Sequence, residues 1–147
     1  MSEQQLRMRR AHRDAGERPQ DAVIEDLVLG SLRFRVVYRV LSSDEGIAIH
    51  VFGPTRAGSE EEVLRFDCFA NEPHYHLGWS YRDEPFIRIT APNPLTWTLH
   101  AIENRLGALL DEAGAAPMTE TERAGLPEIV VQLGDRARHL VEQNPSR

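Results

Sequence analysis

The chain has 147 residues, 41% of them hydrophobic and 27% charged, and its 17 basic and 23 acidic residues give a net charge of −6. A chain of this size forms one domain that can bury a core without a disulfide or a structural metal, and the single cysteine, Cys68, excludes a disulfide framework or an all-cysteine zinc cluster. The acidic balance disfavours a general nucleic-acid binder, and since every basic residue is arginine, no lysine is present for Schiff-base or P-loop chemistry.

Residues 1–23 read as a flexible, Arg-rich arm, with five Arg against three acids in the first twenty positions. The start lacks an apolar signal core, and no apolar run approaches the roughly 18 residues a membrane helix needs. The expectation is a cytoplasmic protein with no membrane association.

Residues 31–41 alternate. Leu32, Phe34, Val36, Tyr38 and Val40 take one face, and Arg33, Arg35, Val37 and Arg39 the other, which predicts a half-buried strand. Ser42–Gly46 is a turn. Residues 47–52 form a second strand with Ile47, Ile49 and Val51 inward, pairing with the first as a hairpin. A loop at 53–59 leads to a third strand, 62–69, with Leu64, Phe66 and Cys68 on the core side. After the turn at Ala70–Pro73, a fourth strand covers 74–81 with Tyr75, Leu77, Trp79 and Tyr81 inward. A turn at Arg82–Pro85 and a short fifth strand, 86–90, follow.

At Asn93-Pro94 the period becomes helical. Asn93 suits the cap and Pro94 the first helical position, where no donor is needed. Leu95, Leu99, Ile102, Leu106, Leu109, Leu110 and Ala113 form one apolar stripe, and Gly114 ends the helix. Residues 117–125 read as a linker or short helix. Val130, Leu133, Ala137, Leu140 and Val141 mark a second helix over 127–142. The predicted fold is therefore a single α+β domain over 24–147. A five-stranded antiparallel meander spans 31–90, one face is covered by the 94–113 helix, and a C-terminal helix follows.

If that helix covers the Phe34–Ile49–Phe66–Leu77 face, the other face is open. It presents Arg33, Arg35, Arg39, His50, Arg65, Asp67, His74, His76 and Arg88, with Phe52, Phe69 and Phe86 among them. In a strand, His74 and His76 point the same way about 7 Å apart. Two imidazoles at that spacing reach one metal ion, and Asp67 on the neighbouring strand adds a carboxylate. The result is a two-His-one-carboxylate set for a divalent transition metal such as Zn, Fe or Mn, with His50 or Glu72 as substitute ligands. The plain alternative is structural: Asp67 pairs with Arg65 or Arg88, and the histidines cap strand ends near Pro73.

Catalysis at this cluster would use Asp67, His74, His76 and Arg65. Histidine or Asp acts as base and Arg stabilises a charged phosphorane, as in a metal-independent ribonuclease. Arg33, Arg35, Arg39, His50 and Arg88 are the ligand-binding candidates, suited to anionic groups by bidentate pairing. Phe52 and Phe69 offer base stacking, although the net acidity disfavours nucleic acid. A Cys68–His74 nucleophile pair is opposed by the alternation, and Glu60-Glu61-Glu62 reads as a solvated charge run.

Phe66-Asp67 on a strand, then a turn, then Pro73-His74-Tyr75-His76, then the 94–113 helix, resembles the small TumE-like toxins of bacterial toxin–antitoxin systems. An Asn usually follows the Asp in that pattern, where this chain has Cys68. The same string also looks like small bacterial domains of unknown function. The toxin likeness implies a growth-inhibiting protein controlled by a partner. Three functions follow as expectations. One is a binding or accessory protein whose open sheet face engages an anionic ligand or a protein partner, with a bound metal. The others are a toxin-like ribonuclease or metal-dependent enzyme, and a structural or homo-oligomeric subunit of a larger complex.

Overall fold

Strict alternation along the central strands builds the sheet. The computed structural model describes residues 25–78, 81 and 86–145, so the arm expected at 1–23, the Arg82–Pro85 turn and Trp79 lie outside the described residues. Six strands follow one another: β1 Leu27–Leu29, β2 Leu32–Val40, β3 Glu45–Pro54, β4 Glu60–Phe69, β5 His74–Leu77 and β6 Ile87–Arg88. Each pairs antiparallel with the next, in the order β1-β2-β3-β4-β5-β6.

The α+β meander is as expected, and its strand count is corrected from five to six. Leu27–Leu29 is too short to show a period. It pairs with β2 around Gly30-Ser31, where Gly30 takes φ +60. Strand β5 stops at Leu77 and does not run to residue 81, because Gly78 adopts φ +73 and leaves the extended conformation.

Helix α1 spans Pro94–Glu112. Its Asn93 cap accepts from the Thr96 amide at 3.0 Å, with Pro94 in the first turn, as the sequence predicts. Helix α2 spans Glu120–Gln143, seven residues longer at its start than the predicted 127–142. A capping box explains the difference. The Thr119 side chain accepts from the Glu122 amide, and Glu122 returns the bond to the Thr119 amide. Glu122 also accepts from the Ser31 amide at 2.7 Å and hydroxyl at 2.8 Å, tying the helix start to the β1–β2 turn. These bonds outweigh the donor lost at Pro127, which stands inside the helix. Val141, expected in the apolar stripe, is exposed; Leu126 and Ile129 are buried there instead.

Both helices pack on one face of the sheet, α1 against β4 and β5 and α2 against β1, β2 and β3. Phe34, Val36, Ile49, Val51, Leu64, Phe66, Leu109, Leu110 and Leu133 form one continuous core there. Burying each such side chain contributes about 1.5–3 kcal/mol. The opposite face carries Arg33, Arg35, Arg39, His50, Arg65, Asp67, His74 and His76, in the parity the alternation predicts.

Candidate functional site

The strand register decides which charged groups meet. Arg65 stands opposite His76, and Asp67 opposite His74, across the β4–β5 ladder. Arg39 reaches Asp67 from β2. The Asp67 carboxylate sits at the centre of this group with its two oxygens divided. Oδ1 accepts from Arg39 Nη1 at 3.3 Å and from Arg65 Nε at 3.2 Å. Oδ2 faces His74 Nε2 at 3.1 Å and His76 Nε2 at 3.4 Å.

The expectation of an open face is corrected at its centre, while Arg33, Arg35 and Arg88 keep partly exposed side chains. Arg39 and Arg65 are each 1% exposed, Asp67 and His50 2%, and His76 7%. The guanidinium groups of Arg39 and Arg65 fold onto the Asp67 carboxylate, which lets these charges be buried, and Arg39 lies over the Phe69 ring, 5.7 Å from its centroid. His74 alone in the cluster keeps a sizeable exposed edge.

Burial by itself would raise the Asp67 pKa. The Arg65 charge and the hydrogen bonds from His74 and His76 outweigh it and hold the carboxyl well below its ordinary 3.8. Asp67 is therefore an anion with acceptors only. Burial lowers the His76 pKa to about 4, against the opposing pull of Asp67, so this imidazole is neutral near pH 7.

Both nitrogens of His74 face oxygen acceptors. Nδ1 lies 2.7 Å from the backbone carbonyl of Glu72, which fixes a proton there. Nε2 faces the Asp67 carboxylate. A neutral imidazole has one N–H, so the second acceptor calls for a further proton or for a cation at Nε2. Asp67, His74 and His76 offer one ligand atom each, and all three atoms lie within 4.8 Å of one another. That set matches the two-His-one-carboxylate pattern expected from the sequence. Glu72, proposed as a substitute ligand, contributes its backbone carbonyl to His74.

The remaining candidates lie elsewhere. His50 pairs with Glu62, Nδ1 to Oε1 at 2.6 Å. Glu62 is 5% exposed, which corrects its reading as part of a solvated run. Strict alternation hides this contact. The β3–β4 register shifts between Val51 and Phe52, so Val51 pairs with Leu64 but Phe52 with Glu62. The extra residue, Val63, turns Glu62 onto the polar face. Arg35 binds Asp26 at 2.8 Å, and Arg33 binds both Asp26 and Glu60. Both guanidinium groups cover Phe52, at 4.8 and 4.9 Å from its centroid. The arginine row thus splits into a paired surface group and a buried central pair. Arg88 stays at the exposed edge, 4.0 Å from Glu72.

Cys68 faces the helices, as the alternation requires. Its Sγ lies 3.4 Å from Thr98 Oγ1, and burial pushes its pKa up to about 12, so no thiolate nucleophile is present near neutral pH. A cleft of about 440 Å³ opens beside His74, lined by Leu41, Ser43, Asp44, Phe69, Asn71 and Glu72. Among the described residues no helix is long and apolar enough to cross a membrane.

No curated protein and no solved structure matches the chain. A family model does, over residues 26–137, which takes in the whole sheet, helix α1 and most of helix α2. The chain belongs to the family described as a domain of unknown function, DUF7700.

Proposed function

We propose that Asp67, His74 and His76 form a mononuclear site for a divalent transition metal, of the Zn, Fe or Mn class. In this reading the chain is a small metal-binding protein that offers the ion to a small ligand through the cleft beside His74. The observation that carries it is the convergence of one ligand atom from each residue within 4.8 Å, with Asp67 Oδ2 lying 3.1 Å from His74 Nε2 and 3.4 Å from His76 Nε2. Arg39 and Arg65 hold the other oxygen of the same carboxylate. Outer partners of this kind fix the orientation of a metal ligand. The mixed nitrogen and oxygen donors suit zinc, iron or manganese, and three protein ligands leave at least one position open.

A divalent ion with one carboxylate and two neutral imidazoles keeps a net charge of +1. Its open position accordingly favours an anionic donor, such as hydroxide or a carboxylate. The burial of Arg39 and Arg65 weighs against the ribonuclease reading, since a polymer phosphate approaching from solvent meets neither guanidinium group.

The test is a cobalt titration followed by visible absorption, on protein made without a histidine tag. The wild type should develop saturable ligand-field bands. His74→Ala/His76→Ala should develop none, with unchanged helix content. Equal spectra from the two proteins would remove the site.

A further inference from the structure

Asp44 lies in the β2–β3 turn, remote in sequence from the metal ligands, yet it grips the turn that carries His74. Its Oδ1 accepts from the amides of Glu45 at 3.0 Å and Asn71 at 2.9 Å, and its Oδ2 from the amide of Glu72 at 2.8 Å. The Asn71 side chain adds a bond to the Ser43 carbonyl at 3.0 Å, and the Ala70 amide bonds the Glu45 carbonyl at 3.1 Å. The β4–β5 turn is thereby clamped onto the β2–β3 turn from both sides of Asp44.

Of these bonds, the one to Glu72 bears on the site. The Glu72 amide is fixed by Asp44, and the carbonyl of the same residue accepts from His74 Nδ1 at 2.7 Å. With Nδ1 carrying the proton, Nε2 is the nitrogen turned to Asp67 and left to bind a metal. A carbonyl or carboxylate behind a ligating imidazole sets both its tautomer and its ring orientation. Here the amide of the residue that supplies the carbonyl is held by a side chain 28 positions earlier in the chain, which restrains the Glu72 backbone on the side away from that carbonyl.

We propose that Asp44 is the positioning residue of the site: through the Glu72 backbone it fixes the His74 tautomer and aims Nε2 at the shared ligand point. The metal-affinity part of this inference rests on the metal reading above; the tautomer part does not.

Two variants separate positioning from simple clamping. Asp44→Asn keeps an acceptor for the Glu45 and Asn71 amides but sets an NH₂ group against the Glu72 amide. Asn71→Ala loosens the same turn by removing its bond to Ser43 and leaves Asp44 on Glu72. Nitrogen-15 NMR of the metal-free proteins reads the His74 ring directly. Wild type and Asn71→Ala should both show an Nδ1–H protected from exchange with water; Asp44→Asn should lose that protection. In cobalt titrations Asp44→Asn should bind roughly tenfold more weakly, and Asn71→Ala should match the wild type. An unchanged His74 signal in Asp44→Asn, or equal losses in both variants, overturns the proposal. If the wild type binds no metal but the NMR contrast holds, the metal reading fails and the positioning role stands.

Discussion

The helix-covered face of the sheet and the centre of its other face are both buried, and they are built on opposite principles. Beneath the helices, Phe34, Ile49, Phe66 and their neighbours exclude water by shape and apolarity. On the other face, Arg39, Arg65, Asp67 and His76 are equally withdrawn from solvent but are charged or polar. An apolar face tolerates any neighbour of suitable volume. A charged face survives burial only when each group meets a defined partner, because an isolated buried ion costs several kcal/mol. Such a face constrains its residues more tightly, and the divided contacts of the Asp67 carboxylate are the sharpest example.

The largest effect expected from breaking this comparison lies on the apolar side. Phe66 is fully buried, and Phe66→Ala should cost about 3–5 kcal/mol in urea unfolding by leaving a cavity. Asp67→Ala should come next. It withdraws the carboxylate from Arg39, Arg65 and both histidines, for a loss of about 3 kcal/mol. A loss under about 1 kcal/mol would make the charged face as permissive as an exposed one.

A pH series sharpens the same contrast. In the folded protein His76 titrates at about 4, against an ordinary value of 6.5. Between those values the unfolded chain takes up a proton that the folded chain refuses. The part of the stability set by His76 should therefore fall by about 3 kcal/mol as the pH drops from 6.5 to about 4 and level off below. Asp67 acts in the same direction in a lower window: its lowered pKa supplies stability that is present above 3.8 and lost as the pH falls further. Urea unfolding in chelator at several pH values, with His76→Gln as comparator, checks this. The variant should show a shallower decline between pH 6.5 and 4, and parallel curves would contradict the assignment. The smallest structural effect is at the helix start, where Thr119→Ala should cost about 1 kcal/mol by removing the cap of helix α2.

The apolar face was legible in the sequence because a period of two needs only residue types. Leu32–Val40 and Ile47–Phe52 keep an apolar residue at every second position, and the Asn93-Pro94 cap marks helix α1 as directly. Parity also put Asp67, His74 and His76 on one side. What the sequence concealed depends on contacts between distant segments. Glu62 turns inward through a bulge that alternation cannot register, and Asp44 looks like any turn aspartate until the two turns meet. Thr119 and Glu122 carry a capping signature that Pro127 masked. The burial of the charged face was equally hidden, since pairing of Arg39 and Arg65 on one carboxylate is a property of the folded ladder.

The most direct test of the central claim is metal content. Tag-free wild type and His74→Ala/His76→Ala, each exposed to zinc, iron(II) or manganese and then desalted, are compared by plasma mass spectrometry. The account predicts a stoichiometric ion in the wild type and none above background in the variant. Equal content in the two proteins, or none in either, would contradict it.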